Sequence, residues 1–215
     1  MDIRRTDAFI LLGMKAAKSP APQGRPRQFD VDTALDQALG VFWEKGYEGA
    51  SLADLTQAMG VNRPSLYAAF GNKEELYRKA LDRYESSYGC HVQRALSQPT
   101  AREAAEQLLR GAVELLTNPS TPFGCMMVSG ALACSGEAEP IRQELNARRR
   151  AGELAIRKRF KQAVADGDLA SDADVAGLAG FVATLLRGLS VQAAGGGTRH
   201  ELMRVVDLAM RAWPG

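Results

Sequence analysis

SLADLTQAMGVNRPSLYAAF, residues 51–70, contains two short helical patterns separated by a glycine. Ser51 begins the first pattern as part of a predicted capping box, and Gly60 ends it. Asn62 can cap the second pattern, and Pro64 lies in its first turn, where a missing N–H costs nothing. Apolar residues at helical spacing predict that the two helices pack on one another. The stretch therefore predicts a helix-turn-helix, two short helices joined by a tight turn containing glycine.

The second helix of this pair has an unusual outward side. Leu66 and Phe70 lie one turn apart and face the first helix, whereas the opposite side presents Arg63, Pro64, Ser65, Tyr67 and Ala68. A side that faces water is usually rich in charged and amide residues instead. In a helix-turn-helix the second helix enters the major groove of DNA. A surface that contacts DNA would explain the proline and the aromatic ring.

Each outward residue has a chemical role on such a surface. Arg63 can donate two hydrogen bonds to a guanine, while Pro64 and Ala68 can approach a thymine methyl group. The hydroxyls of Ser65 and Tyr67 can reach phosphate oxygens. The residues alone leave an alternative open, in which Tyr67 packs under a neighbouring helix and Arg63 is an ordinary surface residue.

Residues 30–80 resemble the DNA-binding head of the TetR/AcrR family of bacterial transcriptional regulators. The resemblance is carried by an aromatic-rich first helix followed by Gly46-Tyr47, by Ser51, by Ala58-x-Gly60-Val61 at the turn, and by Leu66-Tyr67-x-x-Phe70 and Lys73-x-x-Leu76. As a set this pattern is specific. It implies a DNA-binding transcriptional regulator with a C-terminal part that senses a ligand and dimerises.

The resemblance also implies two sets of DNA contacts. The set that faces bases in the family matches Arg63, Pro64 and Ala68, and the set that touches phosphates matches Ser51, Ser65, Tyr67 and Lys73. Lys73 also begins a helix, and the dipole at a helix N-terminus attracts phosphate. These positions are the predicted contacts of the folded head with double-stranded DNA.

Basic charge is concentrated ahead of this head. Residues 1–28 hold six Lys/Arg against two Asp, although the whole chain has a formal net charge of only +2. Such a segment, interrupted by prolines, is predicted to be a flexible arm, with a solvated tail as the alternative reading. Many relatives in the family carry a larger or polar residue at the position of Ala68. We therefore expect Arg25 and Arg27 to supplement Arg63 by contacting a minor groove or the DNA backbone.

Helix start signals divide the chain into nine predicted helices. Residues 29–75 form the predicted helix-turn-helix DNA-binding domain of three short helices, and residues 76–215 form a predicted six-helix ligand-binding and dimerisation domain. The fourth helix is predicted to run unbroken from Asn72 to about Leu96, and Ser171-x-x-Asp174 is predicted to open the eighth. Sustained alternation of apolar and polar residues is missing from the sequence, so the predicted fold is all-α.

The last two predicted helices indicate a homodimer. A stripe of small residues on the eighth helix comprises Gly177, Gly180, Thr184 and Gly188, and an apolar stripe on the ninth comprises Leu202, Val206, Met210 and Trp213. Two such helices from each of two chains would form a four-helix interface about a twofold axis. The alternative is burial within one chain. A dimer would require a near-palindromic operator.

The middle helices are predicted to enclose a pocket for a small-molecule effector. Its candidate lining residues are Tyr88, Phe123, Cys125, Met126, Arg149, Phe160 and Phe181. Core packing is the plainer explanation for each of them. Arg149 falls at the centre of an inward stripe by phase, and an inward guanidinium needs an anion. Glu153 of the same helix or an acidic ligand could supply it.

Cysteine content and composition limit the other possibilities. Three cysteines without C-x-x-C spacing predict neither a disulfide framework nor a structural metal site, and no cofactor is expected. Cys90 and Cys125 could instead respond to a soft metal or an electrophile. The apolar run at residues 8–13 is too short to span a membrane, so a cytoplasmic protein is predicted.

These features predict a homodimeric repressor that a small-molecule inducer releases from its operator. Three alternatives remain at this point: constitutive binding to DNA, an interaction protein without an inducer, and a thiol- or metal-responsive regulator. The sequence does not distinguish repression from activation. A helical enzyme is disfavoured because His91 and His200 are far apart and no nucleophile or phosphate-loop pattern accompanies them.

Overall fold

The computed structural model describes residues 29–132 and 138–214, and these residues contain ten α-helices and no strand. The helices are α1 (Val31–Gly49), α2 (Leu52–Met59), α3 (Arg63–Phe70), α4 (Lys73–Tyr88), α5 (Cys90–Leu96), α6 (Ala101–Leu116), α7 (Met126–Leu132), α8 (Glu139–Ala165), α9 (Val175–Ala194) and α10 (Arg199–Arg211). The predicted all-α fold, with an N-terminal helix-turn-helix and a C-terminal helical part, is confirmed. The arm at residues 1–28, including Arg25 and Arg27, lies outside the described residues.

The helix-turn-helix forms where the capping signals predict it. The Ser51 hydroxyl accepts the backbone N–H of Asp54 to begin α2, and Gly60 ends α2 in the left-handed region with a φ of +64°. The Asn62 side chain then accepts the backbone N–H of Ser65 to begin α3. These caps satisfy N–H groups that a short helix leaves without intrahelical partners.

One apolar core joins this head to α4. The core contains Phe42 of α1, Leu55 of α2, Leu66 and Phe70 of α3, and Tyr77 of α4, all at most 1% exposed. The rings of Phe42 and Tyr77 meet edge to face with their centroids 4.9 Å apart. The same core includes residues of α7 and α8, so the head packs directly on the helices that follow it.

The prediction of one long fourth helix is wrong, because the chain breaks at Gly89 between α4 and α5. A Cβ placed at this glycine would lie 2.3 Å from the carbonyl oxygen of Glu85. Only a residue without a side chain fits so close to that carbonyl. The predicted box at Ser171 is also wrong, since Asp174 itself caps α9 by accepting the backbone N–H of Gly177.

A second core holds the C-terminal helices together. In this core α6 packs against α5, α9 and α10, and α8 packs along α9. Within the described residues, α9 alone is long and apolar enough to cross a bilayer by length and composition, and only 28% of its most apolar window is buried. Because one side of α9 packs on α6 and α8, its other side forms an apolar surface of the single chain.

Candidate DNA-binding surface, subunit interface and ligand cavity

The outward side of α3 is not covered by any other part of the chain that the structure describes. Tyr67 is 46% exposed, and Arg63, Pro64 and Ala68 are exposed as well. Ser65 is half-buried beside them, while Leu66 on the opposite side is fully buried. The alternative in which Tyr67 packs beneath a neighbouring helix is therefore wrong. The geometry brings the five predicted residues of α3 onto one accessible surface.

Ser51 and Lys73 are more constrained than the sequence suggests. The Ser51 hydroxyl donates to a carboxylate oxygen of Asp54 at 2.6 Å, and that carboxylate also accepts from Lys45 at 2.7 Å. The Lys73 ammonium lies 4.7 Å from the centre of the Tyr47 ring. Burial lowers the pKa of Lys73, although the negative charge of Glu48 opposes that shift. Both residues belong to the head, but each already has an intramolecular partner.

Several polar contacts connect the head to the remaining helices. The Trp43 indole N–H donates to the carbonyl of Gly124 at 3.1 Å, and the backbone N–H of Cys125 donates to the Ser190 hydroxyl of α9 at 2.9 Å. Gly124 has a φ of +86°, and a Cβ there would lie 3.0 Å from the Cβ of Ala194. This close approach links α1, the loop before α7, and α9 in one buried region.

Arg148 of α8 makes a second connection, to α4. Its guanidinium donates to Glu85 at 2.6 Å and to Asp82 at 2.7 Å, both on α4, and to Glu144 of its own helix at 2.8 Å. Burial opposes the charged form, but the surrounding carboxylates outweigh it and raise the pKa of Arg148. The Arg148 side chain is 19% exposed, whereas its partner Asp82 is 68% exposed, so the ion pairs lie at the edge of the protein surface. These ion pairs connect α8 to α4.

A mostly apolar cavity of about 190 Å³ lies between α4, α5, α6, the start of α7, α8 and α9. Of the predicted pocket residues, the structure places Cys125 and Arg149 at its wall. The wall also contains residues that the sequence did not single out, because they come from six separate segments. They include Tyr84, Val92, Leu108, Ile156 and Leu186.

The other predicted pocket residues do not line this cavity. Met126 is buried in the core of the head, and Phe160 is buried against Trp213 with ring centroids 5.5 Å apart. Tyr88 packs on Trp43 at a centroid distance of 5.1 Å. Two further predicted residues, Phe123 at 54% and Phe181 at 40%, are exposed to the outside. The spacing of an aromatic residue in the sequence does not show whether it faces the cavity, the core or the outside.

Arg149 reaches the cavity wall without the predicted partner. Glu153 instead pairs with Arg187 of α9 at 2.7 Å, so the expected Glu153–Arg149 pair is wrong. Arg149 donates to the side-chain oxygen of Asn146 one turn earlier. Burial, followed by the nearby positive charge of Arg187, lowers the pKa of Arg149.

The two cysteines do not meet. Cys90 is exposed and lies outside the cavity wall, whereas Cys125 lines the cavity. The Tyr84 hydroxyl donates to the Cys125 sulfur at 3.3 Å, and burial raises the pKa of Tyr84 well above its usual value. His91 and Met127 share the same wall. Among the described residues no cluster of three or more His, Cys, Asp or Glu side chains is arranged to hold a metal ion.

The outer side of α9 presents the predicted small residues. Gly177, Thr184 and Gly188 are exposed and Gly180 is half-exposed, so this part of the predicted stripe lies on the surface. Phe181 and Val191 share this side, at 40% and 51% exposure. A Cβ at Gly180 or Gly188 would meet no atom within 4 Å, so the single chain does not require glycine there.

The predicted interface residues of α10 require a correction. Leu202, Val206, Met210 and Trp213 are each at most 6% exposed and pack into the C-terminal core of the same chain. The opposite side of α10 exposes Val205 at 45% and Leu208 at 64%. The sequence predicts the wrong side for the interface because α10 carries apolar residues on both sides. Helical spacing groups residues by side but does not show which side is buried within the chain.

The fold and the uncovered side of α3 define a helix-turn-helix DNA-binding protein. Two family descriptions match the chain, "Bacterial regulatory proteins, tetR family" at residues 34–80 and "Tetracyclin repressor-like, C-terminal domain" at residues 101–208. The chain belongs to the TetR family of bacterial transcriptional regulators. It is accordingly a DNA-binding transcriptional regulator and not an enzyme.

Similar proteins agree with this assignment. The transcriptional repressor ComR of Escherichia coli K12 is 34% identical over 89% of this chain and 92% of its own length. A solved cysteine mutant of the TetR family regulator CifR, in complex with a 26-base-pair double-stranded operator, is 49% identical and superposes with a TM-score of 0.86. That alignment covers 88% of this chain and all of CifR.

Proposed function

We propose that the protein is a homodimeric transcriptional repressor that binds a near-palindromic operator and is released by a small molecule bound in the cavity. The observation that carries the proposal is the exposed side of α3, from Arg63 to Ala68, which no part of the described chain covers. Repression rather than activation is supported by the similarity to ComR, which is named as a repressor. Because its partner would be chromosomal DNA, the proposed location is the cytoplasm.

In this proposal residues 29–75 bind DNA, residues 76–215 bind the effector and the second subunit, and residues 1–28 supply a basic arm. Arg63, Pro64 and Ala68 contact bases, and Ser65 and Tyr67 contact phosphates. The Ser51 hydroxyl now donates to a carboxylate oxygen of Asp54. It must turn away from Asp54 before it can contact a phosphate. Lys73 contributes positive charge, and Arg25 and Arg27 of the arm contact the groove or backbone nearby.

The outer side of α9 and the exposed side of α10 form the proposed subunit interface. Gly177, Phe181, Thr184, Gly188 and Val191 recur at alternating spacings of four and three, the pattern of a helix seam that packs against another helix. Val205 and Leu208 of α10 would extend the apolar surface. Large exposed apolar patches of this kind usually mark protein contacts.

The effector would act through α8 and α9. Both helices line the cavity, and α8 also contacts α4 while α9 also carries the proposed subunit interface. Thermodynamically it must prefer the state in which the two α3 helices are misplaced for the operator. Arg149 faces the cavity and the adjacent Arg148 holds α4, so a shift of α8 on ligand binding moves α4 beneath α3.

Replacing Arg148 with methionine is expected to weaken this coupling. The variant loses its ion pairs to Asp82 and Glu85, so the effector still binds but releases operator less effectively, by a factor within the 5- to 150-fold range typical of allosteric coupling. Fluorescence anisotropy of labelled operator against effector concentration measures this change. Arg142→Met is the matched control, because among the described residues Arg142 forms its ion pair with Glu139 of its own helix and none with α4. Equal release by both variants would remove Arg148 from the coupling route.

The proposed function is tested by selecting bound DNA from a random pool and then screening compounds for release. We expect the selected sequences to share two inverted half-sites, and at least one compound to raise both the melting temperature of the protein and the dissociation of operator. Selection of DNA without inverted symmetry would contradict the dimeric operator. Stable DNA binding that no compound reverses would favour a constitutive DNA-binding protein.

A thiol-responsive regulator is the second candidate, and the position of Cys125 at the cavity wall, in contact with the Tyr84 hydroxyl, favours it. A small electrophile that enters the cavity would reach this sulfur directly. We expect a small electrophile to modify Cys125 and release operator, with Cys125→Ser insensitive and Cys90→Ser still sensitive. Intact-mass measurement and anisotropy on the same samples check both effects. An adduct on Cys90 alone, or release without any adduct, would exclude this mechanism.

A further inference from the structure

The cavity has an excess of positive charge among the side chains that line it. Arg149, Arg187 and Glu153 face it, within a wall that is otherwise largely apolar. Glu153 and Arg187 neutralise one another across α8 and α9 at 2.7 Å. Among the described residues that line the cavity, this ion pair leaves Arg149 as a charge without a carboxylate partner.

The Arg149 guanidinium has more donors than its present contacts use. It donates to the amide oxygen of Asn146, and no carboxylate of the described residues pairs with it. A guanidinium carries five N–H donors in a planar fork that matches a carboxylate in two parallel hydrogen bonds. Removing such a charge from water is costly unless an anion accompanies it.

The two arginines next to Arg149 on α8 have different surroundings. Arg148 is engaged by carboxylates of α4 and α8, and Arg150 is exposed and does not line the cavity. Arg149 differs from both, since it is half-buried at an apolar cavity and has a neutral amide as its partner. Its position is suited to receiving the charged end of a molecule that enters the cavity.

The size of the cavity indicates what kind of apolar group fits inside it. Its volume is about 190 Å³. A dry apolar cavity of about 150 Å³ is sufficient to bind a single benzene ring. The occupant therefore has room for one six-membered ring, or a branched chain of similar volume, with a small polar group attached.

We propose that the effector is a small carboxylic acid in its anionic form, with an apolar body of about one aromatic ring that lies among Leu108, Ile156 and Leu186 and a carboxylate that pairs with Arg149. This inference rests on the proposed function, because it assigns a ligand class to the cavity through which release of operator is proposed to occur. Because Glu153 is paired with Arg187, its repulsion of the carboxylate is reduced.

Benzoate and benzamide are suitable probes because they have the same shape and differ in charge. We expect isothermal titration calorimetry on the full-length protein to show benzoate binding at least about tenfold more tightly than benzamide, the effect of one charge-assisted hydrogen-bonded pair. Arg149→Gln should weaken benzoate binding by a similar factor and leave benzamide binding unchanged. The matched control Arg150→Gln should bind benzoate like the unmodified protein, and circular dichroism melting confirms that each variant is folded.

Equal affinity for benzoate and benzamide, unchanged benzoate binding in Arg149→Gln, or no benzoate binding at millimolar concentrations would each overturn the inference. Operator release measured in parallel distinguishes failure of the anionic-ligand inference from failure of the proposed function. Release by neutral compounds that bind independently of Arg149 would keep the effector cavity and reject the anionic ligand. Failure of every cavity-binding compound to release operator would reject the proposed effector response itself.

Discussion

Phe181→Asp combined with Leu208→Asp is expected to produce a folded monomer that no longer binds operator specifically. Both side chains are exposed in the single chain, at 40% and 64%, so aspartate is tolerated there in a monomer. At a twofold interface the change would place four carboxylates in an apolar contact, where burying each unpaired charge is strongly unfavourable. The structure therefore predicts that the change affects assembly and leaves folding intact.

The expected loss of operator affinity is large, because a monomer reaches one half-site at a time. Specific complexes commonly have dissociation constants of about 10⁻⁸ to 10⁻¹¹ M, against about 10⁻⁴ to 10⁻⁶ M for nonspecific binding, so a loss of roughly a hundredfold or more is expected. Sedimentation velocity and operator anisotropy at fixed salt measure mass and affinity on the same sample.

Leu154→Asp provides the matched control for the interface variant. Leu154 is 61% exposed and lies on the side of α8 opposite the buried residues of that helix, so the same chemical change there should preserve the dimer and DNA binding. A dimeric Phe181→Asp/Leu208→Asp protein with normal operator affinity would show that α9 and α10 do not form the interface. Loss of the folded state in that variant, detected by circular dichroism, would place these side chains in a contact of the single chain instead.

Arg63→Ala is expected to remove the main source of base recognition in the folded head. A good bidentate contact of arginine with guanine contributes about 1–3 kcal/mol, so loss of two symmetric contacts should cost about 2–6 kcal/mol, or roughly thirtyfold to more than a thousandfold in affinity. Anisotropy with selected operator and with scrambled DNA separates specific from nonspecific binding. Binding to scrambled DNA should fall far less than binding to operator.

Arg63→Lys distinguishes a base contact from a phosphate contact. Lysine keeps the positive charge and loses the planar fork, so it should support phosphate binding but not bidentate recognition of guanine. We expect Arg63→Lys to resemble Arg63→Ala on operator and the unmodified protein on scrambled DNA. An affinity for operator close to that of the unmodified protein would assign Arg63 to a phosphate.

Local signals in the sequence were sufficient to predict the head. The capping box predicted at Ser51 forms, α4 begins after Asn72 as predicted, Gly60 turns the chain between α2 and α3, and Tyr67 faces outward. These features depend on residues three or four positions apart, whose geometry a helix fixes. The break at Gly89 was missed because its cause is a close approach to a backbone carbonyl, which composition does not reveal.

The cavity and the α10 surface depend on contacts between distant segments, and there the sequence was less informative. Arg149 was correctly predicted to face inward, but its expected partner Glu153 pairs with Arg187 from a different helix. Leu202 and Leu208 of α10 are both apolar, yet one is 3% and the other 64% exposed. Only the packing of α10 on α6 distinguishes these two sides.

Methylation interference on the selected operator tests most directly whether the exposed side of α3 docks into DNA on both subunits. We expect two symmetry-related guanines, an integral number of helical turns of about 10.5 base pairs apart, whose N7 methylation blocks binding of the unmodified protein. With Arg63→Ala, methylation of these guanines should have no further effect on the residual binding. The same two guanines interfering equally with Arg63→Ala, or a single interference site without a symmetric partner, would contradict docking through two α3 helices.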